Sequence, residues 1–94
     1  MKTESEKTTP TEKLEASFSM LVMSIASNSM LAMGLTPDPQ TGKTETDPHL
    51  ARFNIDLLVN LKEKTKNNLT TDEQGLLDHI LQDLQMKFIQ LKQN

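Results

Sequence analysis

The sequence predicts an all-α protein: a three-helix protomer, one long apolar helix plus a C-terminal αα-hairpin, with its helical bundle completed by homo-oligomerisation. Three observations carry this expectation. Apolar residues recur at spacings of three and four in three separate segments, the signature of helices with one buried stripe. Helix start and stop signals flank those segments. The first segment carries no charged residue from Ala16 to Pro37, so its apolar circumference exceeds what two neighbouring helices cover.

Length and composition bound the rest. At 94 residues the chain holds one domain at most. Residues 1–12 mix Lys, Glu and Thr around Pro10 and read as a solvated tail. Residues 13–92 read as the single helical domain, short enough that its core is marginal without support. The chain has no cysteine, which excludes disulfides, thiolate metal sites and Cys nucleophiles. A net charge of −3 and three Phe as the only aromatics leave neither a positive field for phosphates nor stacking platforms for bases, so no nucleic-acid partner is expected.

The first helix is expected over residues 11–33. Leu14, Phe18, Leu21, Ile25, Asn28, Ala32 and Leu35 follow alternating spacings of four and three, a heptad seam. Met20, Met23, Ser27, Met30 and Leu31 form a second stripe on the other side. Gly34 suits the left-handed position after a helix, Leu35 can fold back onto Met30, and Pro37 prevents continuation. Thr36 to Asp47 then reads as a surface connector punctuated by Pro37, Pro39 and Gly42.

The second helix starts at Asp47, an N-cap, with Pro48 in the first turn where its missing N–H costs nothing. Leu50, Phe53, Leu57, Leu58 and Leu61 make its apolar face, with Ile55 at the edge. Lys62, Lys64 and Lys66 suit the C-terminal dipole, and Asn67 and Asn68 end the helix. The third helix begins with Thr70 and Glu73 at capping-box spacing. Leu77, Leu81, Leu84, Phe88 and Leu91 form its seam, widened by Leu76, Ile80, Met86 and Ile89. A connection of two to four residues between helices two and three implies an antiparallel hairpin.

The excess apolarity of helix one predicts self-association, most simply as a symmetric homodimer. The expected interface is Phe18, Leu21, Val22, Ile25, Asn28, Ser29 and Ala32. Burying about 600 Å² more apolar surface contributes on the order of 15 kcal/mol before entropy costs. A seam Asn such as Asn28 can fix register by pairing with its symmetry mate. A foreign protein is the other partner that such a surface could take, since Met-rich helices make adaptable grooves. A membrane anchor is the rival reading of helix one. Ser17, Ser19, Ser24, Ser27, Asn28 and Ser29 argue against a span, and no basic cluster flanks the segment closely.

No constellation points to catalysis. His79 and Asp83 could share a cation on one helix face, but two ligands do not make a catalytic metal site. The 36–47 loop with His49 and Arg52 is the residual ligand-binding reading. Lys62 and Lys66 could grip an anion, although the helix dipole already accounts for them. Asn68-Leu69-Thr70 matches a glycosylation triplet, with Thr70 already assigned to a cap. No phosphate loop and no Ser–His–Asp set occurs, so no enzyme activity, cofactor or metal is expected. The start of the chain lacks the pattern of a secretion signal.

One set of residues resembles a known family. It comprises Asp38-Pro39-Gln40-Thr41-Gly42, Ala51-Arg52, Ile55-Asp56-Leu57-Leu58, the run Leu61-Lys62-Glu63-Lys64-Thr65-Lys66, and Asn68-Leu69-Thr70, followed by the Leu-rich third helix ending Phe88-Ile89. Over residues 18–91 the chain is similar to the bacterial domain-of-unknown-function family 1844. The resemblance implies a cytoplasmic bacterial helical protein and brings no activity, cofactor or catalytic residue. Asn67 stands where a Gly is expected before Asn-Leu-Thr, and Gln85 where an Arg is usual.

Overall fold

The computed structural model describes residues 16–93. Three helices follow in order: α1 (Phe18–Ala32), α2 (Pro48–Lys64) and α3 (Thr71–Gln93). The described residues contain no strand beyond one isolated bridge, between Met33 and Thr46. The described residues are all-α with three helices, as expected. The proposed tail at 1–12 lies outside the described residues.

α1 starts later than the periodicity suggests. Ala16 and Ser17 are not helical, and the Ser17 side chain accepts from the Met20 amide at 3.1 Å. That hydroxyl satisfies one of the donors a helix start leaves open, so the helix begins at Phe18 and not at residue 11. Its end follows the expected chemistry. Gly34 has φ +75, its amide bonds the Leu31 carbonyl, and the Leu35 amide bonds the Met30 carbonyl. These are the paired bonds of a Schellman motif.

The connector is tied down at both ends. The Asp38 carboxylate accepts from the Gln40 amide at 2.8 Å, the Asp38 amide donates to Lys43, and Gly42 turns the chain at φ +73. The Asp47 amide then donates to the Ala32 carbonyl at 2.7 Å, which brings the start of α2 beside the end of α1. Asp47 caps α2 by accepting from the Leu50 amide at 3.1 Å, with Pro48 in the first turn.

Residues 65–70 join α2 to α3, a longer link than the two to four residues expected. Asn67 takes φ +68 there, a left-handed conformation that suits Gly and tolerates Asn. This accounts for a Gly being expected at that position. Asn67→Val should therefore cost roughly 1–2 kcal/mol, read as a fall in melting temperature, whereas Asn67→Gly should not destabilise. Thr70 and Glu73 form the reciprocal box: the Thr70 amide bonds Glu73 at 2.9 Å and the Glu73 amide bonds Thr70 at 3.1 Å. Lys62 bridges from α2 to Asp78 on α3 at 2.9 Å, and that hydrogen bond, joined by one from Gln74, holds the exposed Asp78 carboxyl below its ordinary range.

The core lies between the three helices. It comprises Val22, Ala26 and Ala32 from α1, Met33 just after it, Ala51, Ile55 and Leu58 from α2, and Leu77, Leu81 and Leu84 from α3. The expected seam of α3 holds, with Phe88 and Leu91 packed at its end. Met86 and Ile89 do not widen it; both are exposed.

The inner faces of α1 and α2 differ from expectation in part, although Ala32, Ile55 and Leu58 are buried as the spacing predicts. α1 buries Val22, Ala26, Ser29 and Ala32, and α2 buries Ala51, Asn54, Ile55 and Leu58. Both stripes are rotated by about one residue from the leucine-rich ones. The cause is size. Ala26, Ser29, Ala32 and Ala51 are small, so the two backbones approach closely and gain more contact than a leucine-lined seam would allow. The Ser29 hydroxyl reaches the Ala51 carbonyl at 3.4 Å.

Candidate interaction surface

Close approach of α1 and α2 has a consequence for the larger side chains. Where Ala26, Ser29, Ala32 and Ala51 bring the helices together, larger side chains stand at the edge of the seam. Leu21 on α1 is 47 % exposed, and on α2 Leu50 is 48 %, Phe53 57 % and Leu57 37 % exposed. Leu50, Phe53 and Leu57 are spaced by three and four, so they share one flank of α2. The register set by Ala32–Asp47 and Ser29–Ala51 makes α2 run back along α1, and places Leu21 level with Leu57. The four side chains therefore form one apolar flank on the α1–α2 pair.

At the N-terminal end of α2 this flank opens into a depression of about 400 Å³. Leu31, Ala32, Leu50 and Phe53 supply its apolar wall, and Asn28 and Asn54 its polar one. The connector closes the end with Asp38, Glu45, Asp47 and Lys43, an acidic rim with one cation. Asn54 is buried, its Nδ2 donating to the Leu50 carbonyl at 3.0 Å. Glu45 makes no side-chain hydrogen bond or ion pair among the described residues.

The expected interface residues divide into three groups. Val22, Ser29 and Ala32 are buried within the chain itself, so their surface is already used. Phe18 and Ile25 are half-buried against the core. Only Leu21 and Asn28 stand exposed, and Asn28 lines the depression. Leu50, Phe53 and Leu57 were expected in the core and are instead the main exposed apolar groups here. Their shared stripe was readable from spacing; the available signal that it faced outward was the small Ala51, which shares a second stripe with Ile55 and Leu58 of the expected face.

Two further depressions lie against α3. One lies between α1 and α3, about 370 Å³, with Met23, Met30 and Ile80 on its wall. The other lies between α2 and α3 beside Arg52, Asp56 and Gln85, the last standing where Arg was expected.

The residues considered for chemistry do not converge. His49 and His79 are exposed, Arg52 pairs with Asp56 at 3.6 Å, and Asp83 accepts from Lys87 at 2.6 Å. Among the described residues no group of three or more His, Cys, Asp or Glu could hold a metal ion. No helix among them is long and apolar enough to cross a membrane. α1 has 15 residues, about 22 Å of helix against a hydrocarbon core of about 30 Å.

A protein-family model described as Domain of unknown function (DUF1844) matches residues 15–90. No curated protein and no solved structure matches the chain.

Proposed function

Since the chain belongs to domain-of-unknown-function family 1844, which brings no activity with it, we propose from its surface that it is a non-enzymatic helical interaction module that works as a homodimer. The observation that carries this is the apolar flank of Leu21, Leu50, Phe53 and Leu57. Side chains of this size at those exposures leave roughly 350 Å² of contiguous apolar surface, within the range of the largest patch on a monomer and often functional there. Two copies facing each other would cover roughly 700 Å², the apolar share of an interface of about 1,200 Å².

Sedimentation equilibrium tests the reading. Wild-type protein should show a dimer mass at micromolar concentration. Phe53→Asp should reduce it to a monomer, because a charge would have to be buried unpaired in the interface. That variant should keep its helical circular dichroism, since Phe53 lies outside the core. Ile25→Asp is a poorer probe: Ile25 packs against the core, so dissociation and unfolding would coincide. A compact monomer at every concentration would remove the proposal.

A further inference from the structure

The apolar flank has opposite charges at its two ends. Continuing its stripe along α2 from Leu50, Phe53 and Leu57 by threes and fours reaches Asn60 and then Lys64. Lys64 is exposed, and among the described residues it has no ion pair. At the other end stand Asp38, Glu45 and Asp47, with Lys43 as the one cation among them. Asp38 and Asp47 already accept one backbone amide each; among the described residues the Glu45 carboxylate has no partner. Glu63, the acid beside Lys64, is about 100° away around the helix and faces off the stripe.

We propose that the occupant of this flank is a second copy of the chain laid antiparallel, so that Lys64 of each copy meets the acidic rim around Glu45 of the other. This rests on the homodimer reading above and adds the orientation and register. A twofold axis crossing α2 between Phe53 and Leu57 makes every contact occur twice. It sets the start of α2 level with Lys64 of the second copy, Leu50 level with Asn60, and Phe53 against Leu57. Two antiparallel α2 helices also align opposite dipoles, and the acidic rim sits at the N-terminal end where negative charge is favoured. A parallel arrangement fails on the same residues, because it would put rim against rim and Lys64 against Lys64. Like charges facing each other across an interface oppose association, and complementary ones set orientation.

Charge reversal and cross-linking test this on the full chain. Lys64→Glu and Glu45→Lys should each weaken the dimer roughly five- to tenfold, each change acting at two symmetric rim contacts. The double variant should return to within about twofold of wild type. Because the chain has no cysteine, Leu50→Cys and Asn60→Cys chains can be mixed and oxidised. The mixed disulfide should dominate over the two homodisulfides. A wild-type dimer in which the double variant is no better than either single, or in which homodisulfides dominate, overturns the antiparallel register and leaves self-association standing. A wild-type chain that stays monomeric, or that binds a foreign amphipathic helix here in place of itself, overturns both.

Discussion

Leu58→Ala should lower the unfolding free energy by about 2–5 kcal/mol, the cost of removing a buried leucine side chain and leaving a cavity. Leu58 is fully buried, in the core cluster that also holds Val22 from α1 and Leu77 and Leu84 from α3. A domain of this size stands near the low end of the usual 5–15 kcal/mol. The variant should therefore keep only about 0–3 kcal/mol. Urea denaturation followed by circular dichroism reads the change, at one fixed protein concentration because dimerisation couples to stability. Phe53→Ala removes a larger side chain but from an exposed site, and should cost the isolated fold little while weakening the dimer. A Leu58→Ala loss under about 1 kcal/mol would mean that α1, α2 and α3 can collapse around the vacancy, against the dense packing described.

What was legible in the sequence was local. Asp47, Pro48, the Thr70–Glu73 box and the Gly34–Leu35 stop each act through one side chain and a backbone group a few residues away, so spacing alone finds them. The α3 seam was legible for a related reason, since α3 offers only one apolar stripe. α1 and α2 offered competing stripes. Periodicity ranks them by hydrophobicity and picks the leucines. Packing ranks them by how closely two backbones can come, and picks Ala26, Ser29, Ala32 and Ala51. That preference depends on both helices at once and is invisible in either alone. The same reversal moved the candidate surface from the α1 seam to the Leu50–Phe53–Leu57 flank. The expectation of unused apolar area survives in outline, with Met20, Leu21 and Met23 all exposed on α1, while its largest contributor turns out to be α2. The start of α1 was missed because the seam ran back to Leu14 and Ser17 was not read as a cap.

Gly34→Ala should be the most damaging change outside the core, and it links the fold to the candidate surface. Gly34 stands at φ +75, where a side chain costs roughly 1–2 kcal/mol from backbone sterics alone. A Cβ at this position would also lie 2.6 Å from the Thr46 hydroxyl oxygen and 3.4 Å from the Glu45 carbonyl oxygen. The hydroxyl belongs to a β-branched side chain with few rotamers to escape into, so relief takes a change of the Thr46 rotamer or a shift of the 45–47 segment. That segment carries the bridge to Met33, the Asp47 bond to Ala32, and the Glu45 carboxylate of the acidic rim. The expected loss is about 2–3 kcal/mol, or roughly 8–24 °C in melting temperature for a domain this small. Two other glycines calibrate the measurement. Gly42 has φ +73 but open space around it, so Gly42→Ala should show the backbone cost without the clash. Gly75 lies within α3 with nothing close, so Gly75→Ala should stabilise by about 0.5–1 kcal/mol. Thermal melts of the three variants should therefore rank Gly75→Ala above wild type, Gly42→Ala below it, and Gly34→Ala lowest. Equal losses at positions 34 and 42 would mean that the connector does not press against the end of α1, and the acidic rim would then lack the anchorage that holds it at the head of the α2 stripe.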